Sequence, residues 1–263
     1  MSKAILVVFS GEAMHRSRKG PNKSFKTNKR VNMFVFLDIG FTLIGGPPVG
    51  PARRLLEALH LPATTKTALT DLLFRTCFFH ADQLADAIQT QFGTPPELTR
   101  QVSQTLWQAQ HEEAYILPGA AEFLQTLQEN QIPFGFISNI WAPFHAGFAR
   151  LFPVESQTRP SFLSFQLGCA KPSLSLYRIA LAHLGIPPAQ AIMIGDTYQM
   201  DIAPPRQLGI KTVWVLHRPQ QELADTIQTL NGRSPPPDLT VADIGQVQVD
   251  HLYTLLEQRA DHA

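Results

Sequence analysis

From Pro118 to the C-terminus, short apolar runs alternate with stretches of helical spacing, and this alternation constrains the fold more than any other feature. Residues 121–129 read as a helix, 134–137 as a strand and 162–165 as another short strand. Residues 174–184 read as a helix stopped by Gly185, 191–194 as a strand, 200–208 as a helix stopped by Gly209, and 212–216 as a strand. A loop over 217–237 surrounds a short helix at 223–230, and a strand near 239–241 and a helix near 249–258 close the series. Strands this short and this uniformly apolar are buried on both faces, which a parallel sheet covered by helices provides. The expected class is therefore α/β, a Rossmann-like parallel sheet, in which ligands gather at the carboxyl ends of the strands.

Four polar signals fall at that rim. The apolar run before Asp38 delivers a carboxylate to a turn, which suits a nucleophile and equally a simple turn aspartate. Ser138 and Asn139 end the strand at 134–137; a serine there can bind an anion or act as a cap. Lys171, before Pro172 and a helical pattern, can hold an ammonium between an anionic nucleophile and an anionic substrate. Gly195-Asp196 and Asp201 follow the strand at 191–194 and bring two acids toward Asp38. Such a cluster is electrostatically costly without a cation. Its hard oxygen donors suit Mg²⁺; the plainer reading is a turn followed by a helix cap.

In order, Phe36-Leu37-Asp38-Ile39-Gly40-Phe41-Thr42, Ile137-Ser138-Asn139, Ala170-Lys171-Pro172 and Ile194-Gly195-Asp196 through Asp201 resemble the four motifs of the haloacid dehalogenase superfamily. The resemblance implies a covalent aspartyl intermediate on Asp38, with Thr42 supporting the nucleophile loop and Ser138 and the Asn139 N–H binding substrate oxygens beside Lys171. It implies Mg²⁺ held by Asp38, the Gly40 carbonyl and Asp196, with Asp201 acting directly or through water. It also implies a helical cap inserted between the first two motifs. In the superfamily's phosphatases the first motif is DxDxT, whose second aspartate is the general acid and base; here Gly40 stands in its place.

The implied activity is hydrolysis of a small phosphorylated metabolite, slow on alkyl phosphates and favouring good leaving groups such as acyl or aryl phosphates. Glu57, His60 and His80 are nominees for a substitute acid from the cap. Two related chemistries also lack the second aspartate. One is 2-haloacid dehalogenation, where Arg53 or Arg54 would meet a carboxylate or halide; the other is phosphonate hydrolysis, where Lys66 would form a Schiff base. A binding or regulatory protein without useful turnover is the alternative outside enzymology.

The expected domains are a core over 33–43 and 118–263, a cap over 44–117 and a basic extension over 1–32. Gly45 to Pro51 is rich in glycine and proline and reads as a hinge, and residues 52–116 show helical spacing with no obvious strand. Phe74, Cys77, Phe78, Phe79 and Trp107 either line a cavity under the cap or form its own core.

The net charge of +1 conceals an asymmetry, because residues 1–32 hold eight of the 22 basic residues and one acid, Glu12. The body is left with 14 basic and 20 acidic residues, about −6, which argues against nucleic acid as its partner. The extension reads as disordered, dispensable to the fold or a misplaced start, with a nucleic-acid-binding arm the sharper alternative. Cys77 and Cys169 make neither a disulfide framework nor a metal-ligand spacing. The first apolar run is too short for a secretory signal and no run reaches the ~20 residues of a membrane span, so a cytoplasmic location is expected. Oligomeric state is left open.

Overall fold

The computed structural model describes residues 32–257, so the basic extension and the last residue expected of the terminal helix lie outside the described residues. Among the described residues the eight strands are β1 (Phe34–Leu37), β2 (Ile44–Gly45), β3 (Tyr115–Ile116), β4 (Phe134–Ser138), β5 (Ser161–Leu163), β6 (Ala191–Gly195), β7 (Lys211–Val215) and β8 (Leu239–Val241). Six of them form one sheet in the order β5-β4-β1-β6-β7-β8, and every pairing in it is parallel. β1 is central, with β4 on one side and β6 on the other, so the chain reverses its direction of winding beside β1. In sheets of this kind, such a reversal opens a crevice at the carboxyl end of the central strand.

The period of two is plain in β1. Val35 and Leu37 join one apolar cluster with Phe123, Leu127, Phe148 and Leu252, while Phe34 and Phe36 join another with Leu176, Tyr177 and Leu181. Helices Ala120–Glu129, Ala142–Leu151 and Val249–Glu257 supply the first cluster, and Leu174–Leu184 supplies the second. The sheet is thus covered on both faces, which is why its strands carry no polar alternation.

Between β2 and β3 lie four helices: α1 (Pro51–Ala58), α2 (Lys66–Arg75), α3 (Ala81–Phe92) and α4 (Pro96–Glu112). Proline opens α1 and α4, where a missing N–H removes no intrahelical bond, and Gly93 stops α3 at φ 65°. Their apolar stripes converge in a separate core of Leu55, Leu69, Leu73, Leu84, Ile88 and Leu106, which Trp141 from the body joins. The Trp141 indole N–H donates to Gln110 Oε1 at 3.1 Å, and its ring meets Trp107 edge-on at 5.8 Å.

Three local expectations are corrected. The helical insertion is flanked by a short antiparallel ribbon, Ile44 opposite Ile116 and Gly45 opposite Tyr115; two residues a side are too few to show a period. The strand expected at 162–165 ends at Leu163, because Ser164 Oγ bonds the Ile140 backbone and a helical turn, Ser164–Leu167, begins there. The helix expected at 200–208 is a π-helical turn, Tyr198–Ile202, followed by Ala203–Gln207. Pro204 and Pro205 lack the N–H groups a continuous helix would use there, so the ladder restarts before them. Helices Ala142–Leu151 and Pro153–Thr158 escaped the pattern because Pro143, Gly147 and Pro153 interrupt it. Among the described residues, no helix is long and apolar enough to cross a membrane.

Candidate active site

Asp38 is the first residue beyond β1, and its backbone N–H donates to Ile194 O at 2.9 Å, tying it to β6. The chain then turns sharply: Leu43 N–H and Ile44 N–H both donate to Ile39 O, and Phe41 adopts a left-handed φ of 57°. A side chain in that region strains the backbone and needs support from its surroundings. The Phe41 ring finds it in the Arg218 guanidinium, stacked 3.8 Å above the ring centroid.

Lys171 reaches the same rim from the loop after β5. Asn139, just past β4, clamps that loop from both sides: its Nδ2 donates to Lys171 O and its Oδ1 accepts from Lys171 N, each at 2.8 Å. The ammonium donates to Asp38 Oδ1 at 2.6 Å, Asp201 Oδ1 at 2.6 Å and Ile137 O at 3.2 Å. Three donors and three acceptors fix its position. Burial alone would lower its pKa, but the Asp201 and Asp38 carboxylates outweigh burial and raise it.

Asp196 leaves the end of β6, with its carbonyl held by the Trp214 indole N–H at 2.9 Å and its Oδ2 in close contact with Arg218 Nη2. Asp201 lies on the π-helical turn and folds back over Gly195. A Cβ at Gly195 would stand 2.3 Å from Asp201 Cγ, so glycine is required for space rather than for the turn expected from the sequence. Burial pushes Asp201 up to about 7, with Lys171 opposing the shift and Asp38 adding to it. Burial also holds Asp196 well above the usual carboxylate range despite Arg218, with Asp38 and Asp201 adding to the shift.

Oxygen atoms of Asp38, Asp196 and Asp201 all lie within 4.8 Å of one another, and all three residues are buried. Lys171 takes one oxygen of Asp201 and the Thr197 N–H takes the other. Asp38 Oδ2 and Asp196 Oδ1 accept no hydrogen bond among the described residues. Three carboxylates facing two cations, with two oxygens unengaged, fit a hard divalent cation such as Mg²⁺.

The cluster floors a cavity of about 320 Å³ that Gly40, Asn139, Lys171 and Arg218 also line. Its walls are largely apolar: Phe41, Phe144, Met200 and Trp141 from the body, Pro47, Pro48 and Pro51 from the connection, and Phe74 from α2. The structure therefore brings together Asp38, Gly40, Asn139, Lys171, Asp196 and Asp201. Ser138 sits one residue ahead of Asn139, fully buried, with an Oγ that has no partner. Thr42, expected to support the nucleophile loop, does not line this cavity. The turn at Phe41 carries it to a second, smaller cavity of about 170 Å³ beside His217 and Ile244, where its Oγ1 is likewise unpartnered.

The nominated cap residues do not reach the chemistry. Glu57, His60, His80 and Lys66 are exposed and do not line the cavity, and Glu57 pairs with Arg53 at 2.7 Å. Arg54 binds Glu113 at 2.6 Å and lines a separate groove on the cap. Of the aromatic cluster only Phe74 faces the cavity; Phe78 and Trp107 belong to the cap core, and Cys77 and Phe79 are exposed. The residue that sequence reasoning missed is Arg218, inside a stretch read only as loop. Its signal was position: it stands just beyond β7, at the carboxyl end of a parallel strand.

A family model described as haloacid dehalogenase-like hydrolase matches residues 57–215. Among curated relatives, the chain is 26% identical over 137 residues to the ribulose-1,5-bisphosphate 5-phosphatase of Halopiger xanaduensis, covering 52% of this chain and 56% of that protein. It is 26% identical over 163 residues to the phosphoserine phosphatase of Thermus thermophilus, covering 59% and 58%. The matches thus span less than two thirds of each relative's length. Solved structures with a similar fold include a β-phosphoglucomutase from Clostridium difficile, at TM-score 0.55 and 12% identity, covering 88% of this chain and 99% of that one. Another is a haloacid dehalogenase family enzyme from Bacteroides thetaiotaomicron in a magnesium complex, at TM-score 0.52 and 17% identity, covering 70% and 92%. The 2-haloacid dehalogenase of Pseudomonas syringae matches at TM-score 0.51 and 17% identity, covering 86% and 99%.

Proposed function

This chain belongs to the haloacid dehalogenase-like hydrolases, and on that footing we propose that it is a Mg²⁺-dependent phosphohydrolase acting on a small phosphorylated metabolite through Asp38. The observation that carries the reading is the buried Asp38–Lys171–Asp201 arrangement, with both ion pairs at 2.6 Å, on the floor of a cavity beneath the cap. The two curated relatives are phosphatases of small phosphorylated molecules, which supports the substrate class.

In this reading an Asp38 carboxylate oxygen bonds to phosphorus while the bond to the leaving oxygen breaks, and water later cleaves the aspartyl phosphate. Lys171 holds Asp38 in place and offsets its repulsion toward the incoming anion. Asn139 fixes the height of Lys171 and offers its backbone N–H to a phosphate oxygen, with the unpartnered Ser138 Oγ one residue behind. Asp38, Asp196 and the Gly40 carbonyl would hold Mg²⁺, and Asp201 would orient it through water. When bound, the cation supplies charge stabilisation to the transferring phosphoryl group. The apolar walls and the cap exclude bulk water.

Aside from the three aspartates, no carboxyl or imidazole group lines the cavity among the described residues. With the three aspartates committed to the cation and Lys171 in this reading, no other side chain there can protonate an alkoxide, so substrates whose leaving groups depart unprotonated are favoured. The test is turnover of acetyl phosphate and p-nitrophenyl phosphate by the wild-type protein and Asp38→Asn, each with Mg²⁺ and with EDTA. Turnover lost in the variant and on chelation supports the reading. A folded, Mg²⁺-loaded protein that turns over neither substrate refutes it and leaves the second reading, a phosphate-binding protein without turnover, which the lack of a free acid favours.

A further inference from the structure

The three buried carboxylates are neutralised by two side-chain cations held in different ways. Lys171 is fully enclosed and bonded to three acceptors. Arg218 has one carboxylate contact, Nη2 to Asp196 Oδ2, and one ring face, Phe41 at 3.8 Å. Its side chain is 22% exposed, and its Nε–H is buried without a partner. It stands beyond the end of β7, on the stretch leading to Leu223–Leu230, outside the hydrogen-bonded sheet. Arg218 is therefore the exchangeable one of the pair.

We propose that Arg218 is an internal competitor for the divalent cation: its guanidinium holds Asp196 Oδ2 while the metal is absent, and its contact with Asp196 weakens when the metal binds. The proposal rests on the reading of Asp38 and Asp196 as metal ligands, and adds a residue that sets how tightly they bind. A guanidinium in contact with one ligand repels a dication at that ligand, and occupies one of the carboxylate's two oxygens. Phe41 is the device that keeps it there. The left-handed turn points the ring under the guanidinium, and planar stacking of this kind is available to arginine but poor for lysine. Linkage then requires reciprocity: whatever factor Arg218 removes from metal affinity, the metal removes from the Arg218–Asp196 contact.

Mn²⁺ serves as the probe, with the free ion counted by electron paramagnetic resonance in the absence of substrate. Arg218→Met keeps an apolar stem over Phe41 and removes the charge; it should bind Mn²⁺ about tenfold tighter or more, the scale on which a neighbouring charge shifts ionic equilibria. Arg218→Lys should fall between wild type and Arg218→Met. If Arg218→Met does not fold, the wild-type protein supplies the second measurement, modification of Arg218 by phenylglyoxal followed by peptide mass spectrometry. Mg²⁺ should speed that modification, whereas Ca²⁺-free buffer with added Na⁺ at equal ionic strength should not. Wild-type and Arg218→Met affinities that are equal, or a weaker variant, overturn the competition while leaving the metal reading intact, as does a modification rate indifferent to Mg²⁺. Binding of Mn²⁺ to neither protein overturns both. Binding only to Arg218→Met supports the competition and overturns the reading of the wild-type protein as Mg²⁺-dependent.

Discussion

Replacing Gly40 with aspartate should turn this site toward alkyl phosphates. The backbone at Gly40 lies outside the left-handed region, and a Cβ built there meets one neighbour, Phe144 Cε1, at 3.7 Å, an ordinary van der Waals contact. The same ring packs closely on Gly46, 2.9 Å from where a Cβ there would stand. The new carboxyl must therefore take a rotamer pointing away from Phe144, into the cavity that Asp38 also lines. A positioned acid and base contributes about 10²–10⁴-fold. That corresponds to about 3–5 kcal/mol of barrier, at about 1.4 kcal/mol per factor of ten. The assay is kcat/KM for β-glycerophosphate and for acetyl phosphate, with and without the substitution, at saturating Mg²⁺. We expect the alkyl ester to gain at least about a hundredfold and the acyl phosphate, whose leaving group needs no proton, less than about tenfold. A folded Gly40→Asp protein with an unchanged rate on β-glycerophosphate would falsify the account, as would equal gains on both substrates.

Gly195→Ala should disable the site sterically, because its Cβ would stand 2.3 Å from Asp201 Cγ; Mn²⁺ affinity should fall at least about tenfold, the scale of one displaced charge. Gly50→Ala, with nothing within 4 Å, is the matched control for metal binding and should leave the Mn²⁺ affinity unchanged. Lys171→Met leaves Asp38 and Asp201 facing each other without their shared cation, and unfolding in chelator at pH 8 should reveal a loss of about 3–5 kcal/mol. Asp201 carries its own pH signature. Its carboxyl is raised from 3.8 to about 7 in the folded chain, so its stability contribution is present below the unfolded value and lost as pH rises through about 7. Asp196 shifts in the same direction, so the melting temperature in EDTA should fall between pH 5 and pH 8, with a shallower fall in Asp201→Asn. A rising melting temperature over that range would contradict the assignment. Gln110→Leu strands the buried Trp141 indole N–H and should cost about 1–3 kcal/mol in denaturant titrations.

Most of the sheet was legible because its strands are short apolar runs set off by glycine. The helix Leu174–Leu184 stops at Gly185, at φ 63°, as that residue suggested, and Ala191–Gly195 falls one residue from the expected span. Prolines hid what the pattern missed: Pro143 and Pro153 masked two helices, and Pro204 and Pro205 split a third. At the site, Asp38 and Asp196 were legible because each stands where a parallel strand hands the chain to a loop, and Lys171 and Asp201 because they fall in motifs spaced after such strands. Thr42 shows the limit of such reasoning, since one left-handed residue, Phe41, decides which side of the loop it faces. Arg218 shows another: only the third dimension puts it against Asp196.

The ribbon of Ile44–Gly45 and Tyr115–Ile116 has a consequence for how this architecture changes over time. The chain departs for the cap at Ile44 and comes back at Ile116, directly across the ribbon, so the two splice points are already neighbours. Everything between them is a cassette whose ends coincide, the condition under which insertions and exchanges are tolerated. A different cassette, or a tight two-residue turn, can join the same two strands without altering the register of the sheet or the height of Asp38. The rim that carries Asp38 and the helical insertion above it can thus be exchanged separately, apart from the contacts Trp141 makes with the insertion's core.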